Sequence, residues 1–145
     1  MMSNSSSLLQ ERQEQIVEEF AYFEDWMEKY EYLIELGKEL SPFAESDRKD
    51  DNIIRGCQSK VWLAAEKTNE GTLEFRADSD AIITRGLVAL VIRALDKLPP
   101  GVVAGADLWF VQSIGLDTHL SPTRANGLLA MIQQMKHYGI AFQAR

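Results

Sequence analysis

The chain has 145 residues, the usual size of one domain, and with 46% hydrophobic and 26% charged residues it has the composition of an ordinary globular protein. A formal net charge of −7 argues against phosphate-backbone binding, which depends on clustered Lys and Arg, so nucleic acid is not an expected partner. A single cysteine cannot form an intramolecular disulfide and fits a reducing cytoplasm.

The opening MMSNSSSLLQERQEQ has no cationic region followed by an apolar run and turns acidic too early for a transit peptide. It reads as a flexible tail, counted as residues 1–10, ahead of a single domain over 11–145. Ile16, Phe20 and Phe23 then recur at helical spacing among Glu and Gln, the pattern of an amphipathic helix. Asp25 with Glu28 three residues on has the form of a capping box, and Trp26, Tyr30, Leu33 and Ile34 continue a second helical face. Gly37 and the Ser41-Pro42 pair are expected to end that helix, since glycine tolerates a left-handed cap and proline disfavours helix before it. Residues 45–52 are polar and read as loop.

The period then changes. Val61, Leu63 and Ala65, and again Leu73, Phe75 and Ala77, alternate with mostly polar residues, as strands with one buried face do. Residues 68–71 sit between them as a hairpin loop, and a short third strand is expected at residues 52–55. From Ser79 and Asp80, either of which can cap a helix, AIITRGLVALVIRAL is apolar nearly all round and predicts a central buried helix. Arg85 and Arg93 interrupt it, and it falls short of the roughly 20 residues that a bilayer-spanning helix needs. Pro99-Pro100-Gly101 follows as a terminator. Asp107 is placed to cap a short helix through Ile114, and Ser121-Pro122 to cap a final helix of about five turns bearing Leu128, Ile132, Met135 and Phe142. The order predicts an α+β domain, with a small antiparallel sheet of about three strands packed against helices on one face.

Cys57, His119 and His137 supply too few soft ligands for a zinc or iron-sulfur cage. Phosphate-binding glycine loops and nucleophile elbows are absent from the sequence. What remains is Cys57, set between the polar segment and the first clear strand. Glycine before it permits an unusual backbone angle, and loops are where reactive groups are commonly displayed. The competing reading is structural, because a free cysteine behaves as a small buried hydrophobe.

At these residues the sequence resembles the SufE family of sulfur acceptors, whose signature has the form G-C-Q-S-x-V-W. Here it reads Gly56-Cys57-Gln58-Ser59-Lys60-Val61-Trp62. Three further segments agree in order: WMEKYEYLIELGK over 26–38, DSDAIITRGL over 78–87 and HLSPTRANGL over 119–128. The resemblance covers essentially residues 15–140.

The resemblance implies an α+β fold similar to iron-sulfur scaffold proteins of the IscU type, with the acceptor cysteine at a loop tip and no cofactor bound to the carrier. It makes Cys57 the persulfide-forming residue, with Gln58 and Ser59 completing its loop. It also marks Arg124, Asp78 and His119 as candidate partner-binding residues. The implied partners are a pyridoxal-phosphate-dependent cysteine desulfurase of the SufS or CsdA type and a downstream iron-sulfur scaffold or other sulfur acceptor, in the cytoplasm and away from membranes. Two further readings stay open: an adaptor that alters a desulfurase without carrying sulfur, and a redox-sensing thiol that would need an intermolecular partner.

Overall fold

A computed structural model describes residues 4–144 and begins with two consecutive helices, α1 (Asn4–Ala21) and α2 (Trp26–Lys38). Asp25 caps α2, its carboxylate accepting from the Glu28 backbone N–H at 2.9 Å. The helix α1 starts earlier than the composition of the Ser-rich opening suggests. Residues 4–10, expected as flexible tail, form its first turns, and Met1 to Ser3 lie outside the described residues.

Distant partners explain that early start. Leu9 is buried, Gln10 accepts a hydrogen bond from the Trp109 indole at 2.7 Å, and Arg12 donates to the carbonyls of Ala94 and Asp96 at 3.1 and 2.7 Å. Gln13, wholly buried, donates to the Asp107 carbonyl and accepts from the Phe110 N–H, each at 3.1 Å. A buried amide whose donor and acceptor are both used avoids the desolvation penalty of an unpaired one.

Strands β1 (Val61–Lys67) and β2 (Leu73–Ser79) pair antiparallel, from Val61 opposite Ser79 to Lys67 opposite Leu73. Their alternation puts Val61, Leu63, Leu73, Phe75 and Ala77 into the core. The expected third strand at residues 52–55 does not form. Residues 50–52 make a 3-10 turn, and only an isolated bridge joins Ile53 to Trp62 before the chain bends again at Gly56. The sheet of the described residues therefore has two strands.

Helix α3 (Ile82–Leu95) is as buried as its sequence suggests, with Leu87, Val88, Leu90, Val91 and Leu95 each at most 1% exposed. Ser79 and Asp80 do not cap it: Ala81 occupies the cap position without a side-chain bond. Gly37 likewise does not terminate α2, which runs on to Lys38. Instead Gly37 lies buried against Gly86 of α3, where a Cβ would come within 2.9 Å of the Gly86 nitrogen. Two glycines facing each other bring the helix backbones into direct contact.

Short helices α4 (Pro100–Ala104), α5 (Phe110–Ser113) and α6 (Leu116–His119) lead to α7 (Pro122–Gln143). Asp107 does not cap α5, which begins after Trp109. Ser121 does cap α7 as expected, accepting from Arg124 N–H at 3.3 Å with Pro122 in the first turn. At 22 residues α7 is a turn longer than expected, and Gly139 lets it approach Pro100 and Ala104 of α4. Sheet and helices share one hydrophobic cluster, in which α3 is central. Among the described residues no helix is long and apolar enough to cross a membrane.

Candidate functional site

The segment from Ile53 to Lys60 is a loop pinned at both ends and open between them. At its root the Ile54 N–H donates to the Val61 carbonyl at 2.8 Å, beside the Ile53–Trp62 bridge. At its far end Lys60 is held by the residues expected to cap α3. The Ser79 hydroxyl donates to the Lys60 carbonyl at 2.7 Å, and the Lys60 N–H donates to the Asp80 carboxylate at 3.0 Å. Gly56 turns the chain with φ of 96°, a left-handed angle that side chains with a Cβ rarely adopt.

That turn presents Cys57, half-buried, to α7. Its Sγ donates to the Gly127 carbonyl at 3.6 Å, a weak sulfur hydrogen bond. Burial pushes the Cys57 thiol above its ordinary value. Since an unperturbed cysteine is already mostly protonated at neutral pH, the sulfur is held in its less reactive thiol form.

Beside the sulfur opens a cleft of about 610 Å³. Its rim carries Gln58, Ser59 and Arg124, and its floor includes Leu87 and Met131. Gln58 and Arg124 are exposed. The three chain segments that line it are the Cys57 loop, the start of α3 and the start of α7, so residues far apart in sequence converge on one hollow.

Four of the six residues singled out in the sequence thus meet: Cys57, Gln58, Ser59 and Arg124 line the same cleft. Asp78 and His119 do not line it. Asp78, buried on β2, is ion-paired with Arg48 and lies 3.0 Å from the Arg85 Nε, while its carboxylate also accepts from the Ser79 N–H at 2.8 Å. His119 is exposed and stacks on Trp26 with ring centroids 4.2 Å apart, its Nδ1 3.0 Å from the Gly115 carbonyl oxygen. Both stand outside the cleft, held by the contacts just described.

Sequence reading missed Thr84, Met131 and the Gly127 carbonyl, all placed against the cysteine or its cleft. The available signal for two of them was position: Thr84 and Gly127 fall inside the two later segments of family resemblance. Among the described residues no group of three or more His, Cys, Asp or Glu is placed to hold a metal ion.

The SufE family, described as an Fe-S metabolism associated domain, matches residues 14–139. The solution structure of a hypothetical protein from Thermus thermophilus has a similar fold, with a TM-score of 0.75 over 92% of this chain and 97% of that one. Sequence identity between the two is 17%, so this likeness concerns the fold alone.

Proposed function

Because the chain belongs to the SufE family and with it to iron-sulfur metabolism, we propose that it is a sulfur carrier in which Cys57 accepts sulfane sulfur from a cysteine desulfurase and delivers it toward cluster assembly. The observation that carries this reading is the placement of the chain's one cysteine on a loop whose backbone is bonded at its ends and whose middle rests on α7 through a weak sulfur contact, beside a cleft large enough for a guest. A cysteine serving only as a core residue is commonly fully buried, whereas Cys57 keeps part of its surface open to the cleft.

The chemistry is a sulfur transfer without net oxidation. Cys57 gives up its proton, and its thiolate attacks the terminal sulfur of a persulfide on the desulfurase cysteine. A new S–S bond forms at Cys57 as the old one breaks, and the electron pair leaves with the desulfurase sulfur, which takes a proton. Reversal of roles at the next acceptor discharges the sulfur as a thiolate attacks the Cys57 persulfide. One cysteine suffices because the carrier never has to resolve the bond itself. The pyridoxal phosphate that releases sulfur from cysteine belongs to the desulfurase.

A burial-raised thiol adds a requirement: docking must move Cys57 out of its seat or bring a positive charge beside it, so that the thiolate forms where the persulfide waits. The cleft supports a matching role for Arg124, Gln58 and Ser59 as contacts to the partner. Charge complements that picture, since residues 11–39 carry ten acidic and three basic side chains, the whole of the net charge of −7. Such an acidic pair of helices favours encounter with a basic partner surface.

Intact-mass spectrometry after incubation with desulfurase and cysteine tests the reading. A gain of one sulfur or more, removed by dithiothreitol and absent in Cys57→Ser, is expected. Binding to an active desulfurase without any gain in mass, together with stimulation that survives Cys57→Ser, is the outcome of a non-carrying adaptor.

A further inference from the structure

The Cys57 loop rests on a device outside the cleft. Trp62, the last residue of the signature, bridges to Ile53 at the loop's root and lies opposite Asp78 across the hairpin. The Arg48 guanidinium sits 5.0 Å from the Trp62 ring centroid and 5.3 Å from that of Phe43. The same guanidinium pairs with Asp78 and reaches Glu45 at 3.4 Å. Asp78 cannot swing away with it, being fixed by the Ser79 N–H at 2.8 Å and faced by Arg85 at 3.0 Å. Arg48 therefore lies over two aromatic side chains and is tied to a buried carboxylate on the strand that neighbours Trp62.

No residue from Phe43 to Arg48 lines the cleft beside Cys57. We propose that Arg48 is a positioning residue, which holds the root of the Cys57 loop by pressing Trp62 onto the Ile53 bridge and so limits how far Cys57 leaves its seat at Gly127. Its role in sulfur transfer rests on the carrier reading above, while its effect on the thiol does not. The chemistry favours arginine at this position. A planar guanidinium can stack on aromatic faces while its edge binds a carboxylate, which the compact ammonium of lysine cannot do at once. The polar segment before the loop, which carries no catalytic group, thereby gains a purpose: it brings Arg48 to Trp62.

Alkylation of Cys57 by iodoacetamide in the isolated protein, followed by mass, measures this without any desulfurase. Arg48→Ala is expected to speed alkylation on the order of tenfold, because the cation–π contacts and the charge-assisted bond together exceed what shifts an opening equilibrium by that factor. Arg48→Lys, which keeps the charge toward Asp78 but loses the stack, is expected to fall between wild type and Arg48→Ala. Gln10→Ala, which loosens a clasp on Trp109 remote from the loop, supplies the comparison for general destabilisation. An unchanged alkylation rate in folded Arg48→Ala overturns the proposal. So does an equal acceleration in Gln10→Ala at matched loss of melting temperature. Should Arg48→Ala fail to fold, Arg48→Lys against Gln10→Ala decides by the same criteria. Sulfur uptake measured separately on wild type tests the carrier reading, so either idea can fail alone.

Discussion

Two of the helix contacts at which this protein places glycine differ in what the glycine is for. Where α2 crosses α3, Gly37 and Gly86 face each other, and a Cβ on Gly86 would run into the carbonyl of Leu33. Where the Cys57 loop meets α7, a Cβ on Gly127 would stand 3.5 Å from the cysteine sulfur, an ordinary van der Waals distance. The first contact demands glycine and the second merely contains it. Of the two, packing is tighter between the scaffold helices and looser beside the sulfur, as suits a loop that has to deliver its side chain elsewhere.

The largest expected effect comes from breaking the tight side. Gly86→Ala forces α2 and α3 apart and should cost ~3 kcal/mol or more, at the upper end for overpacking. Urea unfolding followed by circular dichroism would read it as a lower midpoint or as failure to fold. The same substitution on the slack side should act in the opposite direction. Gly127→Ala, inside a helix with room for a methyl group, is expected to stabilise by up to ~1 kcal/mol through helix propensity while leaving Cys57 alkylation within about twofold of wild type. Should both variants destabilise alike, the distinction between the contacts collapses.

The smallest effect is electrostatic and belongs to the slack side alone. Because burial raises the folded-state thiol above its unfolded value, the native protein keeps a proton that the unfolded chain releases. Stability is fully present below the unfolded cysteine value, about 8.5, and declines as pH rises through the higher folded one. Alkylation should accordingly show a midpoint above that of a free cysteine peptide. The thiol's share of the decline should vanish in Cys57→Ala, leaving that of the raised Tyr32 and Tyr138 phenols, and an alkylation midpoint at or below the peptide's would mean that the sulfur is not held as described.

Much of this was legible in the sequence, and the exceptions have separate causes. Asp25, Ser121 and Pro122 were readable as helix starts because capping is local: donor and acceptor lie within one turn of each other. The hairpin and the buried α3 were readable from their periods. Gly37 was misread because its role depends on Gly86, which no local pattern announces. The expected strand at residues 52–55 failed for a local reason that alternation does not report, since a 3-10 turn precedes Ile53 and a left-handed glycine follows it. At the site, Cys57, Gln58, Ser59 and Arg124 came through the signature segments and meet at the cleft. Asp78 and His119 came through the same segments but lie outside the cleft, because a motif gives positions in the sequence and not which of them converge in space.

The clasps of α1 bear on the order of assembly. Arg12 and Gln10 bind groups that lie 82 to 99 residues further along the chain. On the ribosome, Phe20 can meet Tyr32 of the neighbouring α2 as soon as that helix is made, but these distant clasps cannot close until the segment after α3 has emerged, so Leu9 and Ile16 lack their full cover in the interval. The nine exposed carboxylates among residues 11–39 would keep these first two helices soluble while the rest of the chain arrives.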